Sequence, residues 1–232
     1  MNEQRLQTFS GLAGSGSLAA DRNRVLRNTY WLLALSLVPT VLGAWIGVTT
    51  GITQALGNGM SAIVFFAGAF GFMYAIEKTK DSSTGVYVLL GFTFFMGLML
   101  ARMLTAVLGF KNGSSLIMTA FGGTAMVFFG MATLASMIKR DLTSMGKFLF
   151  VGALILMIAS VVNIFMHSSA MMMTISVLAI VVFSGFMLFD IKRVIDGGET
   201  NYISATLAIY LDVYNVFQSL LAILGIVGGE RD

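Results

Sequence analysis

Two aspartates stand out in an otherwise apolar C-terminal third. Asp190 lies in FMLFDIKRV (186–194) and Asp212 in IYLDVYNVF (209–217). A carboxylate in hydrocarbon is costly unless it is paired, protonated or facing water. Two close carboxyls share a proton and titrate as a coupled pair, which suits a pH sensor. They also offer the hard oxygens that Ca²⁺ prefers, which makes the two aspartates candidate transient ligands for that ion. Alternating steps of four and three from Asn201 pass through Ala205, Ala208, Asp212, Asn215, Ser219 and Ala222. On a helix this is one small and polar stripe, which turns toward protein or water rather than lipid. Asn201, Asn215 and Ser219 are its supporting polar groups, with hydrogen-bonded packing of Asp212 as the plainer reading. Arg102 is the third ionisable residue inside an apolar run. It reads first as a side chain that snorkels to the interface, with a pore or vestibule role as the alternative.

Other chemistries are excluded or weak. With no cysteine and a single histidine, His167, thiolate sites and multi-histidine metal sites are ruled out. GSGS (14–17) lacks the preceding strand and the Gly-Lys-Ser/Thr of a phosphate loop. Intramembrane aspartic proteolysis would need a Gly-x-Gly-Asp arrangement, whereas Phe189 precedes Asp190 and Leu211 precedes Asp212. The expectation is a protein without enzymatic activity or cofactor. Asn112-Gly113-Ser114, the methionines at 171–173 and His167 read as loop or packing residues. DGGETNY (196–202) reads as a turn with Thr200 or Asn201 capping the next helix.

The elements that must position the pair are membrane spans. Of the 232 residues, 57% are hydrophobic and 11% charged, with mean hydropathy +0.87. An average soluble domain carries roughly 25% charge, so the chain is an all-α integral membrane protein. Its net charge of +3 then reflects loop residues rather than nucleic-acid binding. Seven stretches can cross a bilayer: 30–50, 60–77, 85–108, 115–138, 147–166, 170–190 and 202–225. Residues 1–29 are expected to be a flexible cytoplasmic tail, and residues 30–232 a seven-helix transmembrane domain. Eleven of the 14 Lys and Arg fall on the side of the N-terminus, and only Lys111 and Arg231 on the other. This predicts the N-terminus inside and the C-terminus outside. These boundaries put Asp190 at the cytoplasmic interface and Asp212 about 14 Å deep. Contact between them requires tilt, or a sixth helix placed deeper.

The residues also resemble a known family. VLRNTY (25–30), AFGGTAMVFFGMATL (120–134), SVLAIVVFSGFMLFDIKRVIDGGETNY (176–202) and ATLAIYLDVYNVFQSLLAILG (205–225) are similar to the Bax inhibitor-1 family, in its bacterial YccA-like branch. The resemblance covers essentially the whole chain. It implies a helical bundle around a central C-terminal helix, and a pH-sensitive Ca²⁺ leak gated by an aspartate pair matching Asp190 and Asp212. It also implies a bacterial inner-membrane location. Within that branch it implies a link to the membrane-anchored AAA protease, as a slowly degraded substrate that restrains it, engaged through the N-terminal tail. Two departures stand out. Ala101-Arg102 replaces a frequent Gly-Pro of the third span. In YAIEKTKD (74–81), Lys78 or Lys80 would have to replace an arginine that partners an aspartate in some members.

Overall fold

A computed structural model describes residues 3–230, with side chains from Asp21 onward except Asn58. The helices are α1 (Glu3–Thr50), α2 (Ile52–Ala55), α3 (Gly57–Thr79), α4 (Ser83–Leu108), α5 (Gly113–Met137), α6 (Thr143–Met166), α7 (Ser169–Ile195) and α8 (Tyr202–Gly228). No strand occurs among the described residues. Seven helical segments are long and apolar enough to cross a membrane, from Asp21–Thr50 through Tyr202–Gly228. The chain is therefore an all-α integral membrane protein.

Two boundaries differ from the sequence expectation by five residues or more. Helix α1 already includes residues before 30, where a flexible tail was expected. Residues 21–29 (DRNRVLRNT) contain neither glycine nor proline, so nothing stops the first span from extending back. The sixth span continues through Lys192 and Arg193 to Ile195 rather than ending at Asp190. Those two cations sit in the last turn, where they suit the negative end of the helix dipole.

The helix ends follow local chemistry. Gly51 (φ +66°) ends α1 in the left-handed region, and Gly197 (φ +80°) turns the chain after α7. His167 (φ +51°) takes the same conformation after α6, with its N–H donating to the Asn163 carbonyl at 2.9 Å. His167 is thus a C-terminal cap. Asn201 caps α8, its side-chain oxygen accepting from the N–H groups of Ile203 and Ser204 at 2.9 and 3.1 Å.

Helix α8 packs against α7, α5, α1, α4 and α3, and none of its residues before Ile226 is exposed. It is the bundle's central element. Helix α6 lies at the periphery on α7, with Phe148, Phe150, Ile155, Ile158 and Phe165 exposed on its outer surface. In water that surface would be a liability; in lipid it costs nothing. The tightest helix pair is α1 on α4. A Cβ on Gly97 would overlap the Thr40 carbonyl, and one on Gly43 would overlap the Phe94 carbonyl.

The two ends of the bundle are fastened differently. At the end carrying Arg22, Lys80 and Arg193 (the basic end), the Asn201 amide donates to the Lys80 carbonyl and to Asp81 Oδ1 at 3.0 and 2.9 Å. At the opposite end the Asn112 amide donates to the Gly228 carbonyl at 2.6 Å, and Lys111 N–H donates to the Glu230 carbonyl at 3.1 Å.

Candidate functional site

Asp190 sits five residues before the end of α7, and Asp212 ten residues after the start of α8. Extending α7 to Ile195 moves Asp190 inward by more than a turn, and the depth mismatch expected from the sequence falls to about half, roughly 8 Å. The two carboxyls face each other within hydrogen-bonding reach. A hydrogen bond between carboxyls needs one proton, because two carboxylates only accept. Asp212 is 4% exposed, and its Oδ2 has no hydrogen-bond partner among the described residues.

The packing that brings the pair together is small. Ala208 and Ala205 lie on the Asp212 stripe, one and two turns toward the basic end. With Asp190, Arg193, Glu199 and Ser204 they line a cavity of about 20 Å³. That is room for one water, which needs roughly 10–15 Å³. Arg193 and Glu199, two of the lining residues, are 3.6 Å apart, and both act electrostatically on Asp190. Arg193 also donates from Nε to the Gly198 carbonyl at 3.3 Å. The cation beside the pair is therefore Arg193, one turn along α7. Neither lysine of the 74–81 segment takes that place: Lys80 is bonded to Glu77, and Lys78 lies over the Tyr74 ring. The Glu77 hydrogen bond holds the Lys80 ammonium above the ordinary lysine range.

The remaining predicted residues separate by role. Asn215 donates to the Leu211 carbonyl of its own helix at 2.7 Å, so its amide is used locally. Ser219 is buried two turns from Asp212, toward the end away from the pair's cavity. Asn201 is a cap and a loop tie, outside the cavity. Arg102 lies far along α4 and donates from Nη1 to Ser61 Oγ at 3.3 Å. It thus reaches the beginning of α3 and does not join the pair.

A second polar row on α8 escaped the sequence reading. Tyr210 hydroxyl pairs with Thr40 Oγ1 at 2.9 Å, Tyr214 hydroxyl donates to the Met96 carbonyl at 3.0 Å, and Gln218 donates to Tyr214 at 3.3 Å. These residues recur every fourth position and tie α8 to α1 and α4. That i, i+4 spacing of hydrogen-bonding side chains was the available signal.

Fold and site define a class: a seven-span helical membrane protein with an acidic pair, Asp212 buried and Asp190 half-buried, between its last two spans. The family described as "Inhibitor of apoptosis-promoting Bax1" matches residues 22–229. A Vibrio cholerae protein known only as an uncharacterized membrane protein is 39% identical over 211 residues, covering 90% of this chain and 92% of its own. The Escherichia coli K12 protein called modulator of FtsH protease YccA is 37% identical over 203 residues, covering 88% and 90%. An uncharacterized Pseudomonas aeruginosa protein is 34% identical over 230 residues, covering 99% and 100%. The chain belongs to the Bax inhibitor-1 family.

Proposed function

We propose that the chain is a cation leak of the bacterial inner membrane, gated by the proton that Asp190 and Asp212 share, with Ca²⁺ as the permeant ion. The observation that carries this reading is the carboxyl pair itself, buried Asp212 against half-buried Asp190, beside a small cavity that Arg193 and Glu199 also line. While one proton bridges the carboxyls, α7 and α8 are held together. When it leaves, two like charges stand at close range in a poorly screened interior and repel. The helices then part at the basic end, and the leak rises with pH. Two aspartates supply at most four oxygens, short of the six to eight that Ca²⁺ takes, so they act as gate and passing ligands and not as a storage site. The test is Ca²⁺ flux into liposomes across a pH series, wild type against Asp212→Asn. The asparagine amide can donate to Asp190 at every pH, so the variant should stay shut with a flat profile. A variant profile that matches wild type would sink the gate.

A second reading, compatible with the first, is modulation of the membrane AAA protease. The name of the E. coli relative supports it. So does the contact of the N-terminal helix with the hairpin that carries the pair: the Arg22 side chain packs on Gly197, and Thr206 Oγ1 donates to the Thr29 carbonyl at 3.3 Å. A protease engaging the N-terminal segment would then engage something attached to the gate. Removing residues 1–20 should abolish the effect on proteolysis and leave the seven-span core folded. Unchanged modulation by the truncated chain would end this reading.

A further inference from the structure

A groove of about 470 Å³ opens on the lipid-facing flank between α6 and α7, separate from the acidic pair's cavity. It exists because α6 leans on α7 alone at this end, and Gly146 lets the helix settle on the Phe189 ring. A Cβ there would meet that ring at 2.8 Å.

The lining changes character along the membrane normal. Thr143 and Lys147 mark one end; Phe150, Val151, Phe186 and Phe189 make up the rest. Thr143 begins α6 and Lys147 is one turn in, so the charge sits about 6 Å from the helix start. Phe189 and Phe186 lie about 9 and 14 Å from the same end of α7. Charge therefore gives way to purely apolar lining within two to three turns, the profile of a phospholipid read from phosphate to acyl chain.

The charged end asks for an anion. Lys147 forms no ion pair among the described residues. Asp141, the nearby carboxylate, accepts from the Thr143 N–H and hydroxyl at 2.9 and 2.6 Å. Those two bonds hold its carboxyl below the usual range, with Lys192 adding to the effect. Lys192 itself is bonded to Asp196. Lys139 and Arg140 precede α6 on the exposed surface of the same end. Basic pockets between spans are suited to acidic lipid headgroups.

We infer that this groove is a binding site for an anionic glycerophospholipid of the leaflet at the basic end, with the phosphate on Lys147 and an acyl chain along Phe150, Val151, Phe186 and Phe189. Thr143 has its donors engaged by Asp141, so Lys147 is the anchor.

The experiment is native mass spectrometry of the full chain in detergent with phosphatidylglycerol and phosphatidylcholine of matched chains. Wild type should retain phosphatidylglycerol about fivefold better, the scale of one lysine near a phosphate. Lys147→Gln should bring the two lipids to parity. Val151→Trp, at an exposed position, should fill the groove and lower retention of both. Lys78→Gln removes the same charge from the same end outside the groove and should change nothing. Equal retention by wild type, or an equal loss in Lys78→Gln, would overturn the site. So would Lys147-dependent binding of inorganic phosphate that competes with the lipid, since the ligand would then be a soluble anion. Unaltered melting of each variant establishes that the differences are not unfolding.

Discussion

Asp212 and Tyr214 are two residues apart on α8 and show two kinds of legibility. Asp212 was visible in the sequence because a carboxylate in an apolar run violates its surroundings, and the small stripe around it told which way it faced. Tyr214 was not, because a tyrosine in a span looks like any large apolar side chain until its hydroxyl is seen to reach the Met96 carbonyl. Tyr214→Phe removes that bond and the partner of Gln218, and leaves the ring contact with Tyr210, centroids 6.1 Å apart, in place. A hydrogen bond of this kind contributes roughly 1 kcal/mol net. The variant should therefore unfold at a lower temperature by a few degrees in detergent, with its spans intact by circular dichroism. No change in melting would mean that the hydroxyl row adds nothing to the attachment of α8. The partner of Asp212 was legible as a residue type but not as a contact, because that required knowing that α7 continues to Ile195.

Pairings between helices were the least readable feature of the chain. The count of seven spans, their order and a cap at Thr200 or Asn201 all came from local pattern: apolar runs, glycines at turns and a side chain that can accept from the first turn. That α1 packs on α4 depends on helices distant in sequence, and no periodicity within either helix names its partner. A hint was present in Gly43-Ala-Trp-Ile-Gly47, a spacing that lets membrane helices approach closely. Gly97 supplies the matching gap, against the Thr40 carbonyl. Gly97→Ala must push the two backbones apart, and overpacking of this kind costs about 1–3 kcal/mol. Gly91→Ala on the same helix is the control, since its Cβ would meet only Phe72 at 3.5 Å, an ordinary contact. Thermal unfolding should separate the two variants clearly. Equal melting temperatures would mean that α1 and α4 have slack that their close approach does not suggest. Because Thr40 also pairs with Tyr210, the shift in Gly97→Ala should be felt in α8 as well.

Across the whole molecule, the proposed gate and the proposed lipid site both take their meaning from orientation. The loops at the basic end are tied together by Asn201 to Lys80 and Asp81 and by Arg22 against Gly197. The opposite end is closed by Asn112 on the segment just after α8. With seven spans, the two chain termini must lie on opposite faces of the membrane. Basic loops are retained inside, so the end with Arg22, Lys80, Arg140 and Arg193 should be cytoplasmic and Asp232 should be outside. Alkaline phosphatase, which folds only after export, should be active when fused after Asp232 and inactive when fused after Lys80. Green fluorescent protein at the same two positions should give the reverse pattern. If the Asp232 fusion is fluorescent and lacks phosphatase activity, the cavity beside Asp190 opens to the outside. The proton that the pair shares would then report external pH, and the lipid groove would face the outer leaflet. The packing around the pair would be unchanged, and only the compartment it senses would differ. That makes the fusion pair the experiment to run before any flux profile is assigned to one side of the membrane.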